Sequence, residues 1–432
     1  MLLFMLTGCT FGNAVNQAST PLNGQLQEEQ PLSFTVVYAD GDRAHKQGIS
    51  TVISNFEKSH PNIVVNEINE TWAGSYADFL KMKDAVGEFP DLIEMRDTQL
   101  FTDAGLLHPM PGDLIGLFEA APEVNEAVYT LPLEKPAPHG VIYNKKVFAQ
   151  AGITESPETF DEFLLYCEKI KRLGVQPIVV GGKDIWHMGF WINKFLIDEV
   201  YIKNPDWNAQ RGEGKVSWTD AGPMSAMQKL KFLWDNGYVA SGFTGTADNQ
   251  TASILLSGQA AMLYSGPWMF NQISSADPTF AFGFFALPDQ QGNINVAGAP
   301  TTSGWAISAE AAKNPEKLKS IKQFLHYFFD ENQYALFLQA VNGIPATRAD
   351  ADYPVIEPME AVLRMMKDGK TKQSAYLNTF SGKNTAPPQF RDWFYRAIQD
   401  VLNDKLGLDE AMREADQEWN AQVKAMQVPT GS

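Results

Sequence analysis

Leu255-Leu256-Ser257-Gly258-Gln259-Ala260-Ala261-Met262-Leu263-Tyr264-Ser265-Gly266-Pro267-Trp268-Met269-Phe270 is the stretch from which the fold can be read. It spells the end of a helix closed by Gly258, a short buried strand from Ala260 to Tyr264, a tight Ser-Gly-Pro turn, and a new helix. Glycine ends helices because it tolerates positive φ, and proline suits the first turn of the helix that follows. Trp268 then stands just past the carboxyl end of a strand, where open α/β sheets bind ligands. The same position suits a core aromatic covering the sheet, and this stretch alone leaves both readings open.

Strands and helices also alternate nearer the amino end. Leu32 to Ala39 is β-rich and runs into Asp40-Gly41-Asp42-Arg43. Ile49, Val52, Ile53 and Phe56 then form an apolar helical stripe. Ile63-Val64-Val65 makes a second strand, Trp72 precedes a helix from Tyr76 to Val86, and Phe89-Pro90-Asp91-Leu92-Ile93 opens into Glu94-Met95-Arg96-Asp97. This order predicts a parallel sheet with crossover helices. The polar groups after the first and third strands, Asp40, Asp42, Arg43, Glu94, Arg96 and Asp97, then gather at one sheet edge. Carboxylates and guanidinium forks there could bond a polyhydroxylated ligand, although solvated loop charge is the simpler reading of any one of them.

Further on, Leu131 to Phe148 carries three prolines before a β-run, which excludes helix and suits a crossing between domains. Thr159-Phe160-Asp161-Glu162 reads as a capping box. Trp186 follows an apolar strand from Pro177 to Val180, Trp305 sits inside an extended run, and Pro315 to Phe329 is helical.

At 432 residues the chain has room for two domains. A net charge of −17 with no basic cluster argues against nucleic acid. Six scattered His and no phosphate-binding or hydrolase motif argue against a catalytic metal or a cofactor. Met1 to Leu6 is too short to span a membrane, but Leu6-Thr7-Gly8-Cys9 has the pattern of a lipoprotein signal with Cys9 to be acylated. Met1 leads straight into the apolar run, without the usual Lys or Arg. Residues 10–30 are polar and aperiodic, the composition of a tether. Cys167, spaced among Phe160, Phe163, Leu164 and Ile170, reads as inert core.

The order of Phe89-Pro-Asp-Leu-Ile93, Ala104-Gly-Leu-Leu-His-Pro-Met110, Gly140-Val-Ile-Tyr-Asn-Lys-Lys-Val-Phe148, Ser156-Pro-Glu-Thr-Phe160, Leu256-Ser-Gly-Gln-Ala-Ala-Met-Leu-Tyr-Ser-Gly-Pro-Trp268 and Phe337-Leu-Gln-Ala-Val-Asn-Gly-Ile-Pro-Ala346 resembles the extracellular solute-binding proteins of bacterial ABC importers. The likeness is to the branch that contains maltose-binding protein and the multiple-sugar binders, and it runs from residue 32 to the carboxyl end. It implies an α/β, type II periplasmic-binding-protein fold of two lobes joined by hinge crossings, with ligand between them. The crossings are expected near Leu133–Ala137, Phe284–Ala286 and Phe328–Asp330. The N-terminal lobe is then 31–137 plus 286–328, and the C-terminal lobe 138–285 plus 329–432.

Trp268 matches the family's Gly-Pro-Trp platform, Trp186 stands where a second platform belongs, and Trp305 and Trp72 are further candidates. His139 and Arg348 lie near crossings. Where the maltose-type pattern has an aromatic after Pro-Asp-Leu-Ile, this chain has Glu94 or Met95. The resemblance implies a monomeric sugar-binding lipoprotein on the outer face of the membrane, serving a permease and breaking no bonds. Peptide or polyamine binding on the same fold, and less so a glycoside-active enzyme, are the alternatives.

Overall fold

A computed structural model describes residues 31–427, apart from 40–42, 69–75, 119–120, 299–301, 350, 378 and 381. Cys9, Asp40, Asp42 and Trp72 lie outside the described residues.

The strands are β1 (Leu32–Val37), β2 (Ile63–Ile68), β3 (Leu92–Met95), β4 (Leu107–His108), β5 (Gly140–Asn144), β6 (Gln176–Val179), β7 (Ala260–Ser265), β8 (Phe282–Phe285), β9 (Asn295–Ala297), β10 (Gly304–Ser308) and β11 (Lys372–Ser374). They form a sheet ordered β2-β1-β3-β10-β4, a second ordered β6-β7-β5-β8, and the pair β11-β9. β1 runs parallel to β2 and β3, as the alternation of strand and helix requires, while β10 returns antiparallel to β3 and β4.

The central strands of each large sheet are covered on both faces and are mostly apolar, whereas the edge strand β2 alternates buried and exposed positions. In the first, Val36, Leu92 and Ile307 face a core shared with Ile49, Ile53, Phe56, Phe324 and Phe328. Their neighbours Val37, Ile93 and Ala306 face the opposite layer with Phe79, Leu80 and Phe101. The side-chain period of two in a strand produces this division. In the second sheet, Val141, Met262 and Tyr264 face one layer and Ile142 and Leu263 the other. Cys167 is fully buried in the former, and burial pushes its thiol well above the usual range.

Local signals act as their chemistry dictates. Gly258 adopts φ +73° at the end of the Asp248–Leu256 helix. Thr159 accepts the Glu162 N–H at 3.2 Å, and the Glu162 carboxylate reaches back to the Glu158 N–H at 2.7 Å.

Two expected crossings move. Phe284 is in β8, and the chain stays with the second lobe through β9, whose Ala297 belongs to that lobe's core. It returns to the first sheet only at β10. The helix Glu331–Val341 packs Tyr334, Phe337 and Leu338 into the first lobe's core, and Ala346, Ala351 and Tyr353 still pack on it, so the chain passes to the second lobe only before the helix Glu357–Lys367. Polar loops and an amphipathic helix carry no mark of which sheet they will cover, so the boundaries expected at 286 and 328 fall elsewhere. The first crossing is tied to the others: Leu131 and Trp305 exchange backbone bonds of 2.9 Å, and Lys135 N–H donates to Ile344 at 2.7 Å.

Candidate functional site

Three chain segments meet at one end of the second sheet because β6 is parallel to β7 and β5 antiparallel to it. The exit of β7 delivers Gly266-Pro267-Trp268, the exit of β6 leads to the helix Ile185–Leu196, and the entry to β5 is His139. Their rings form a contiguous cluster. The His139 ring lies 4.3 Å from Phe190, 5.3 Å edge-on from Trp268 and 5.9 Å from Tyr376. Phe190 is 5.6 Å from Trp268 and 5.4 Å from Trp186. Exposure rises outward, from His139 (6%) through half-buried Phe190 and Trp268 to Trp186 (47%).

The indole of Trp268 folds back over Gly266, where an added Cβ would sit 1.8 Å from a ring carbon. Only glycine permits that approach. Burial, together with the neighbouring charge of His187, lowers the His139 pKa to about 3. The imidazole is therefore neutral at ordinary pH, with one nitrogen able to donate and the other to accept.

The first lobe presents a polar wall. Glu94 is buried at the end of β3, where Oε2 accepts from Ala39 N–H and pairs with His45 Nε2, both at 3.0 Å. Its Oε1 accepts from Arg96 Nε at 3.1 Å and Nη2 at 2.9 Å. Burial alone would raise the Glu94 carboxyl, but Arg96 and then His45 hold it down at about 2. Burial likewise works against the His45 imidazolium, yet Glu94 outweighs it and the pKa is raised. The Arg96 guanidinium also lies 5.9 Å over the Tyr76 ring.

The two walls sense each other. Burial raises the Tyr376 phenol, while Arg391 of its own lobe and Arg96 of the other pull it down. For Arg391, burial is opposed by Asp392 and Tyr395 from its own lobe and by Asp97 from across the gap. The aromatic cluster and the β3 exit loop are thus near enough for charge on one to act on the other.

Of the residues singled out from sequence, Trp268, Trp186 and His139 come together on the second lobe, and Glu94, Arg96 and Asp97 share the β3 exit on the first. Arg43 is exposed at the start of the Arg43–Ser59 helix. Trp305 is not a platform: it is fully buried against Phe324 and Phe328, 6.2 and 5.6 Å away. A strand interior in a sheet covered on both faces points every large side chain into a core. Arg348 is exposed, with Nε donating to Gly116 O at 3.2 Å and its N–H to Leu117 O at 2.8 Å.

Sequence reasoning missed Phe190, Tyr376, Arg391 and His45. Phe190 lies one turn after Trp186 on the same helix face and could have been found by that spacing. Tyr376 follows β11, whose Lys-Gln-Ser sequence carries no strand signal.

The sequence profile of the family described as bacterial extracellular solute-binding protein matches residues 42–335. The chain belongs to that family. It is 26% identical over 310 residues to the multiple sugar-binding protein of Streptococcus mutans, covering 68% of this chain and 70% of that one. It is 23% identical over 412 residues to the galactooligosaccharide-binding protein of Bacillus subtilis, covering 91% and 90%. A chitin oligosaccharide binding protein superposes with a TM-score of 0.79 at 23% identity, over 91% of this chain and 100% of the other. RafE, in complex with raffinose, gives 0.73 at 19% identity, over 91% and 100%. The fold is the type II, two-lobed one of solute-binding proteins. Among the described residues no helix is long and apolar enough to cross a membrane.

Proposed function

We propose that this solute-binding protein captures a sugar or oligosaccharide between its lobes by hinge closure and presents the closed form to an ABC permease. The observation that carries the reading is the ring cluster His139–Phe190–Trp268–Trp186 opposite the Glu94–Arg96 pair. Pyranose C–H faces are apolar and stack on indole, while hydroxyls need fixed donors and acceptors. The relatives named for multiple sugars and galactooligosaccharides support the same ligand class.

In this reading the chain binds and releases without bond cleavage, acts as a monomer, and is held at the outer membrane face by acylated Cys9. A thermal-shift panel tests it, because a ligand specific for the native state raises the melting temperature by mass action. Neutral oligosaccharides are expected to give a saturable shift and to be recovered intact. A shift with peptides or polyamines alone, or turnover of the glycan, contradicts the proposal.

A further inference from the structure

The helix Trp268–Ala276 starts with the central ring of the candidate site and is fixed to the second lobe by Met269, Phe270 and Ile273, all fully buried. One turn on from Trp268, half-buried Asn271 reaches the first lobe. Its side-chain amide donates to Ala340 O, with a further contact of 3.3 Å to Gln339 O. Both carbonyls lie in the last turn of the helix Glu331–Val341, which belongs to the first lobe.

The last carbonyls of a helix have no intrahelical donor and carry its negative dipole end. Here the chain turns off at Asn342, in the left-handed conformation at φ 50°, and both the Asn342 and Gly343 N–H groups go to Leu338 O, the latter at 2.9 Å. Asn271 therefore supplies, from the other lobe, a donor that this helix end lacks. The capped turn leads directly to Ile344, whose carbonyl accepts from Lys135 N–H of the first crossing at 2.7 Å.

The Glu331–Val341 helix cannot move independently of its own lobe. Gly48 of the Arg43–Ser59 helix approaches it so closely that an added Cβ would meet Phe337 at 3.1 Å and Ala340 at 3.2 Å. The two ends of the Asn271 bond thus ride on different rigid bodies. A bond of that kind contributes only to those hinge angles at which the helix ends abut, and so biases the equilibrium between open and closed forms.

We propose that Asn271 is a positioning residue that couples the Trp268 platform to the hinge, by capping a helix of the opposite lobe in the closed geometry. The inference rests on the hinged-clamp reading above, but one arm of its test needs no ligand. Small-angle scattering of the ligand-free protein reads the hinge directly, and glycan affinity reads its consequence. Asn271→Ala is expected to enlarge the radius of gyration and to weaken glycan binding about five-fold, mainly through faster dissociation.

Asn271→Asp distinguishes coupling from simple packing. A carboxylate of the same shape faces the negative helix end, so this variant is expected to open the protein further than Ala does, with an effect that added salt reduces. If Asp and Ala both leave the scattering curve and the affinity at native values, or if Asp closes the protein, the proposal is wrong. A glycan panel that fails with native protein would strike the sugar reading while the scattering comparison still decides this one.

Discussion

Glu94 carries the largest electrostatic load on the first lobe's wall, and the sign of its contribution can be worked out. Its carboxyl is held at about 2 against an ordinary 4.5, so the stabilisation it gives is complete above pH 4.5 and is lost as pH falls through about 2. His45 is raised from 6.5, so its share is complete below pH 6.5 and is lost as pH climbs through the folded value. Urea unfolding of the native chain across pH is expected to show both slopes. In Glu94→Gln both should flatten, with a cost of about 3 kcal/mol near neutrality from the groups left unpaired; unaltered slopes would show that the ion pair is not formed. Tyr376, which reaches the cleft from a strand that sequence does not announce, is expected to lower glycan affinity about ten-fold when changed to Ala. Titration calorimetry checks this, and an unchanged Kd would place the phenol outside the ligand's reach. Cys167 shows the opposite case: its apolar helical spacing alone disclosed a buried, unreactive thiol.

At the scale of elements, legibility followed the strength of the local signal. The stretch around Gly258 and Pro267 was readable because turn chemistry punctuates it, and the apolar stripe of the Arg43–Ser59 helix because its burial follows the 3.6-residue period. Trp305 misled because an indole in a strand looks the same in sequence whether its sheet edge is open or covered. What marks it as core is β10, lodged between β3 and β4. That strand begins at Gly304, with φ +147°, where an added Cβ would lie 1.9 Å from Leu131 O. Gly304→Ala is therefore expected to cost at least about 2 kcal/mol, because the backbone itself must move. Hydrogen exchange should report the loss in β3 and β10 while β5 to β8 stay protected; equal protection in both sheets would contradict this local origin.

For the whole molecule, the α/β class and the two-lobed plan were legible because the order of weak motifs spans nearly the full chain. The lobe boundaries were not, since they depend on which surface an amphipathic helix finds. The crossings gain stiffness from Tyr334, whose hydroxyl donates to Leu133 O at 2.7 Å and accepts from Ala346 N–H at 3.0 Å. It thereby fastens the first crossing to the segment that follows the Glu331–Val341 helix. Tyr334→Phe leaves both backbone groups without that partner and is expected to cost about 2 kcal/mol. A melting temperature equal to the native one would count against this bracing role.

In the proposed clamp a ring surface on one lobe and charged groups on the other supply the grip, so removing a central ring should weaken binding strongly while the scaffold persists. Trp268 is half-buried on Gly266, so its loss is expected to leave the sheet beneath intact. The decisive measurement is calorimetric titration of the best glycan from the panel into native protein and into Trp268→Ala. Saturable heat with the native chain, and affinity reduced at least about thirty-fold in the variant, is the expected result. Equal affinities in the two proteins would contradict the account.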